Sequence, residues 1–253
     1  MAIKIYGNTR FGPSSSATPS LITTNMLLNL DASNPTSYPG SGTTWTDLST
    51  NTNNVTLVNG PTYTSSDGGA IIFDGVDDWG SSALAKQGAA TDNYTFGAWV
   101  NPYDVGGSTN WFLARGGYEN SYYNGWSLLL YFNAGKPAAA VVTMSPSIVG
   151  IGTPDGTSTV SAGGWYYIVG VWEVGVGLRV YLNGVLESTL ANTGTSLRQS
   201  NYYGWTLATP IAVSAVAHTK LGNVHVHNVV LTEAQILNNF NATKSRYTLG
   251  PIT

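Results

Sequence analysis

The sequence predicts an all-β protein, a sandwich or barrel of short antiparallel strands with one helix near the C-terminus. Three observations carry this. Apolar residues recur with a period of two rather than 3.6 through most of the chain. Turn residues punctuate the sequence every ~8–12 positions, the strand spacing of antiparallel sandwiches and barrels. Asn183-Gly184 sits between two strand-like runs, and an Asn-Gly pair there signals a hairpin, because both turn positions take positive φ.

The elements follow in order. Residues 1–20 close on Phe11-Gly-Pro-Ser-Ser-Ser-Ala-Thr-Pro-Ser20 and are expected to form an extended arm, with residues 21–253 as one domain. Met26, Leu28 and Leu30 alternate with Leu27, Asn29 and Asp31. In Tyr94–Pro102, Phe96, Ala98 and Val100 alternate with Thr95, Gly97 and Trp99. The runs 127–132, 165–172 and 178–182 are rich in Tyr, Val, Ile, Leu and Trp and have strand length. Thr232 and Gln235 form a capping box ahead of Ile236, Leu237 and Phe240 at helical spacing. Glu233 falls in the first turn, where the helix dipole favours a negative charge.

Composition narrows the function classes. Charged residues are 9% of 253 and the net charge is −3, so the chain lacks the basic field that holds nucleic acid. Polarity comes instead from 30 Thr, 24 Ser and 22 Asn. With no Cys, disulfides, thiolate metal sites and a Cys nucleophile are excluded. No apolar run is long enough to span a membrane as a helix. Residues 1–20 show no apolar signal core, and a Cys-free surface of Ser, Thr, Asn and Tyr suits a protein that folds in a cytosol and then works outside it.

Five segments in order resemble the concanavalin A-like, laminin-G-like jelly-roll superfamily over roughly residues 21–247. They are Leu28-Asn29-Leu30-Asp31, the loop from Trp45-Thr46-Asp47 to Asn59-Gly60-Pro61, Ile71–Trp79, Trp165–Gly184 and Leu221–Tyr247. The resemblance implies a jelly roll of two antiparallel sheets. The wording of segments 28–49 and 231–247 is most similar to domains of tailed-bacteriophage virion proteins. That implies a capsid decoration or a tail or head appendage, anchored by its arm and in contact with other virion subunits in an oligomer or symmetric array.

Candidate sites follow from residue chemistry. Glycosidases with this fold carry acids in an E-x-D-x-E pattern that straddles the scissile bond. Here no Glu among Glu119, Glu173, Glu187 and Glu233 lies two residues from an Asp, so no catalytic residues and no enzyme are expected. Asp31, Asp47, Asn51, Asn53 and Asp74 are hard oxygen ligands in the family's loops and form a candidate Ca2+ set. Thr50 and Thr52 stand where that loop has glycines in the family, which weakens the case for the ion. His225 and His227 share one face of a strand, and a polar face of a half-buried strand is the simpler reading.

Two stretches read alike: Tyr118 to Trp126, with Tyr122 and Tyr123, and Ser200 to Trp205, with Tyr202 and Tyr203. Tyr and Trp supply rigid contact area beside adaptable Asn and Ser, so these residues form a candidate glycan or partner surface, with Trp126 and Trp205 as the first residues of core strands in the alternative reading. Ile3, Ile5, Tyr6 and Phe11 are candidate anchoring residues in the arm. The expected function is a non-enzymatic virion structural protein. The alternative is a lectin-like module for host-surface adsorption, with or without Ca2+.

Overall fold

The structure is a computed structural model. It describes residues 18–83, 85, 88–106, 110–116, 126–144, 148–152, 155–191, 194–198, 203–208 and 216–253. In chain order the strands are β1 (Met26–Asp31), β2 (Thr44–Trp45), β3 (Val55–Val58), β4 (Thr62–Thr64), β5 (Ala70–Asp74), β6 (Trp79–Ser81), β7 (Tyr94–Pro102) and β8 (Asn110–Gly116). There follow β9 (Trp126–Asn133), β10 (Lys136–Met144), β11 (Ile148–Gly152), β12 (Tyr166–Glu173), β13 (Gly177–Leu182), β14 (Val185–Ala191), β15 (Trp205–Leu207) and β16 (His218–His227). The helix α1 (Glu233–Thr243) comes last and runs into a 3-10 turn, Lys244–Arg246.

These strands form two antiparallel sheets, as the jelly-roll expectation required. The first runs β14-β13-β12-β7-β16-β5-β4, and the second runs β11-β10-β9-β8-β15-β6-β3-β2. On one side of β16, β5 pairs residues 218–221 and β1 pairs residues 223–227. The main core lies between the sheets. Leu28 and Leu30 enter it from β1, Phe96, Ala98 and Val100 from β7, and Leu128, Leu130 and Phe132 from β9. Asn183 and Gly184 take φ of 51° and 85° and turn β13 into β14.

The first sheet differs from expectation in one respect. All nine residues of β7 are buried, including Thr95, Trp99 and Asn101. Alternation accounts for one buried face of this strand; α1 and the C-terminal turn bury the other. The Trp99 ring stacks on Phe240 at 5.7 Å and Tyr247 at 4.3 Å, and its Nε1 donates to Thr243 Oγ1 at 2.8 Å. The helix starts with the expected capping box: Thr232 accepts from the Gln235 amide while the Gln235 side chain accepts from the Thr232 amide.

Under α1 the two histidines of β16 do share a face, and that face is closed. The Tyr167 hydroxyl lies 2.5 Å from His225 Nε2. His227 Nδ1 lies 3.0 Å from the Thr24 carbonyl, which can only accept, so Nδ1 carries the hydrogen. Burial pushes both imidazoles below the ordinary histidine range, His225 further than His227. The same helix ties down the chain before β1, since Asn239 Oδ1 accepts from the Ile22 amide at 2.8 Å.

Candidate functional site

The outer face of the second sheet divides in two. Across β8, β9 and β10 it is apolar and buried, with Trp111, Ala114, Leu129, Tyr131 and Ala140 in one cluster. Across β2, β3 and β6 it is open. The short strands there alternate by burial: Trp45, Val55, Leu57 and Gly80 face the core, so Thr44, Thr56, Val58, Trp79 and Ser81 face outward.

Register then arranges these outward residues. Thr44 pairs with Thr56, Thr56 with Ser81, and Ser81 with Thr206 of β15, so four hydroxyl side chains line up across four strands. Thr206 is buried and its Oγ1 donates to the Gly116 carbonyl at 2.9 Å. Among the described residues, the hydroxyls of Thr44, Thr56 and Ser81 have no side-chain hydrogen-bond partner. One step along the strands, Val58 pairs with Trp79. The Trp79 ring meets the Tyr203 ring edge to face, with centroids 5.2 Å apart and planes at 73°. Both aromatics are partly exposed.

Topology also brings the roots of the two aromatic stretches together. β8 leaves the sheet at Gly116, β9 enters at Trp126, and β15 enters at Trp205. The Gly116 amide donates to the Gly204 carbonyl at 2.5 Å, and Arg115 pairs with Trp205. Beneath these roots Arg115 is fully buried, donating to Ser127 Oγ, the Arg198 carbonyl and the Gly88 carbonyl, with its guanidinium 5.3 Å from the Tyr94 centroid.

The aromatic expectation therefore holds in part. Tyr203 lies on the open face. Trp205 does not: it points into the main core, fully buried against Tyr94 and Phe96 at 5.8 Å and 6.0 Å. The reason is strand parity, because Trp205 and Leu207 share the inner side of β15 while Thr206 takes the outer side. Tyr118, Tyr122, Tyr123, Tyr202 and the side chain of Trp126 lie outside the described residues, as do Ile3, Ile5, Tyr6 and Phe11 of the arm.

The five candidate Ca2+ ligands do not converge. Asp31 forms a two-pronged ion pair with Arg246 at 2.7 Å and 2.9 Å. Asp47 is buried, and its Oδ1 accepts from the amides of Asn29 and Ser49 while its Oδ2 accepts from the Ser49 hydroxyl and the Asn53 amide, all within 2.8 Å. Four donors fill the lone-pair directions of a carboxylate. Asn51 and Asn53 turn their Nδ2 groups to the carbonyls of Met26 and Leu27. This donor-rich set fits a loop staple and not a cation that takes six to eight oxygens.

Asp74 instead joins Asp77 and Asp78, the one group of three or more acidic or imidazole side chains close enough for an ion among the described residues. They sit in the β5–β6 turn. Amide bonds from Val76 and Asp77 hold the Asp74 carboxyl below its ordinary range. Burial holds Asp78 above it while Asp78 accepts from the Asp74 amide at 3.1 Å.

With this geometry in place, comparison with known proteins is informative. A profile described as the concanavalin A-like lectin/glucanases superfamily matches residues 74–237. The chain belongs to that superfamily. No curated protein sequence matches the chain significantly. Solved structures of similar shape include a mutant Trypanosoma rangeli sialidase with trans-sialidase activity, at TM-score 0.63 and 17% identity, covering 90% of this chain and 35% of that one. Domain 4 of the extracellular arabinanase AbnA from Geobacillus stearothermophilus, solved with arabinotriose, gives TM-score 0.63 and 15% identity over 85% of this chain and 98% of that one. The receptor-binding domain of botulinum neurotoxin C/D mosaic serotype gives 0.62 and 13%, over 87% and 51%. These likenesses establish the shared fold. This chain spans about a third of the length of the sialidases it resembles.

The sequence reading missed Thr44, Thr56, Trp79 and Ser81. Each stands in a strand of two to four residues. The available signal was the outward parity of Thr-Trp, Val-Thr-Leu-Val and Trp-Gly-Ser, which becomes a surface only once the strands are in register.

Proposed function

We propose that this protein is a non-enzymatic carbohydrate-binding module. The observation that carries the reading is the open half of the second sheet, where the Trp79–Tyr203 pair stands beside three unpartnered hydroxyls. An aromatic ring offers a flat apolar surface to the C–H face of a sugar, and neighbouring hydroxyls both donate to and accept from sugar hydroxyls. The company of a domain solved with arabinotriose and of a toxin receptor-binding domain supports the reading.

Catalysis finds no support in the acids. The Asp74 and Asp78 carboxyls organise a turn, and Glu187 is engaged by Thr157 and Ser158. Binding is proposed to need no ion, because Asp47 is fully engaged by protein donors. The test is a glycan array probed with the intact chain, with and without EDTA. The expected result is a defined saccharide preference that EDTA leaves intact. Absence of binding to any saccharide overturns the proposal.

A second, finer reading places the module in the virion of a tailed bacteriophage, made in the host cytoplasm and anchored by residues 1–20 to capsid or tail subunits. Its support is the resemblance carried by segments 28–49 and 231–247 and the low charge, which suits dense packing of copies. A cryo-EM map of native particles tests it. Repeated density for the domain at symmetry-related positions is expected, and absence of the chain from any particle refutes it.

A further inference from the structure

We infer that the saccharide taken by the open face of the second sheet is neutral and extended, and is not an acidic sugar. This rests on the carbohydrate-binding reading and adds the ligand class.

The first ground is charge. The outward residues Thr44, Thr56, Val58, Trp79 and Ser81 carry none, and Tyr203 adds none. A sialic or uronic carboxylate is ordinarily held by a guanidinium, an ammonium or a cluster of free amides. Here the strand amides are in ladders, and the nearest charged groups in sequence are acids: Trp79 directly follows Asp77 and Asp78, and Asp77 is exposed. A carboxylate arriving beside Trp79 meets like charge, and none of the outward residues of β2, β3 and β6 is a Lys or Arg.

The second ground is spacing. Adjacent strands lie ~4.8 Å apart, so the hydroxyls of Thr44, Thr56 and Ser81 repeat at that interval across the sheet. That interval is close to the length of one sugar residue in an extended chain. A ligand lying across the strands meets one hydroxyl per residue, while the Trp79–Tyr203 pair, one step along β6 from Ser81, receives a ring at the flank of the row. A monosaccharide can use only part of this row.

The experiment is titration calorimetry of the intact chain with a neutral oligosaccharide series, from one to four residues. That series is built from the best neutral glycan on the array, a second from the best acidic glycan, and each is titrated at low and high salt. The expected affinity rises about tenfold or more from one residue to three, on the scale of one to two further hydrogen bonds and a stacked ring. It stays within about twofold between ~0.05 M and ~0.5 M NaCl, as an uncharged contact should. Thr56→Ala and Ser81→Ala each weaken the longer ligands by about 3- to 10-fold and leave the monosaccharide unaffected. Lys86→Gln, which removes the cation nearest in sequence after β6, leaves binding unchanged.

Preferential binding of acidic glycans, or affinity that falls steeply with salt or with Lys86→Gln, overturns the inference and leaves the carbohydrate-binding reading standing. Equal affinity for mono- and tetrasaccharide overturns the extended-ligand part. Failure of every saccharide to bind overturns both readings together.

Discussion

Replacing Asp47 by alanine is expected to be among the most destabilising single changes outside the hydrophobic core. The Asp47 carboxylate is 6% exposed and receives three backbone amides, from Asn29, Ser49 and Asn53, and the Ser49 hydroxyl. Asp47→Ala strands all of these donors. A buried amide left without a partner costs ~1–3 kcal/mol; water reaches the part-exposed Asn29 and Ser49, so the loss should be about 4 kcal/mol. For a chain of this size ~1 kcal/mol moves Tm by ~2–4 °C, so the melting temperature should fall by ~8–16 °C. Asp47→Asn keeps one acceptor oxygen and should lose about half as much. Thermal and urea unfolding, each in excess CaCl2 and in EDTA, read both variants. A Tm for Asp47→Ala within ~1 °C of the parent would refute the staple reading. So would a Ca2+-dependent rise in the parent's Tm that the substitution abolishes, because binding to the native state raises stability by mass action.

Other expectations follow from local geometry. Thr52 has a φ of 53°, a left-handed conformation that a β-branched residue adopts at a cost. Thr52→Gly removes that strain and adds chain entropy to the unfolded state, for a net gain of about 0.5–1 kcal/mol measurable by urea unfolding. Trp205→Ala should cost ~3–5 kcal/mol, because the ring is fully buried in the main core; a loss under ~1 kcal/mol would return Trp205 to the surface. The buried imidazoles set a pH dependence. Both have folded-state pKa values below that of the unfolded chain, so the unfolded state takes up more protons as pH falls through about 6.5. Stability should therefore be full above pH ~7 and decline below ~6.5, by at most ~1.4 kcal/mol per pH unit for each imidazole. The double variant His225→Gln/His227→Gln should show a flatter profile over that range, and an unchanged profile would place the acid sensitivity elsewhere.

The elements legible in the sequence are those whose signal is local. The Asn183-Gly184 turn and the Thr232–Gln235 capping box each specify backbone geometry through residues a few positions apart, and both form as expected. The alternation in Tyr94–Pro102 gave a strand but not its surroundings. What covers Trp99 is Phe240 and Tyr247, more than a hundred residues away, and no pattern within the strand encodes their arrival. The two Tyr-Tyr stretches looked equivalent, yet in the second Trp205 enters β15 on its inner side, while Tyr203, ahead of the strand, packs on the outward Trp79. The candidate Ca2+ ligands Asp31, Asp47, Asn51 and Asn53 are engaged by protein groups, because oxygen-rich loops serve two ends. Asp47 and its neighbours supply their own donors, and composition alone does not distinguish acceptors aimed at amides from acceptors aimed at an ion. The hydroxyl row is the extreme case. Thr44, Thr56 and Ser81 are unremarkable in three separate strands and become a surface only through register.

Sugar binding is proposed to reside on the open half of the second sheet, centred on Trp79. The most direct measurement is the affinity of the intact chain and of Trp79→Ala for the best ligand from the glycan array, with far-UV circular dichroism and Tm as controls of folding. Trp79 is partly exposed, so its loss should leave the fold intact while weakening binding by about tenfold or more, the scale of one aromatic stacking contact. Unchanged affinity in a folded Trp79→Ala protein would contradict the account and move the binding site off this face.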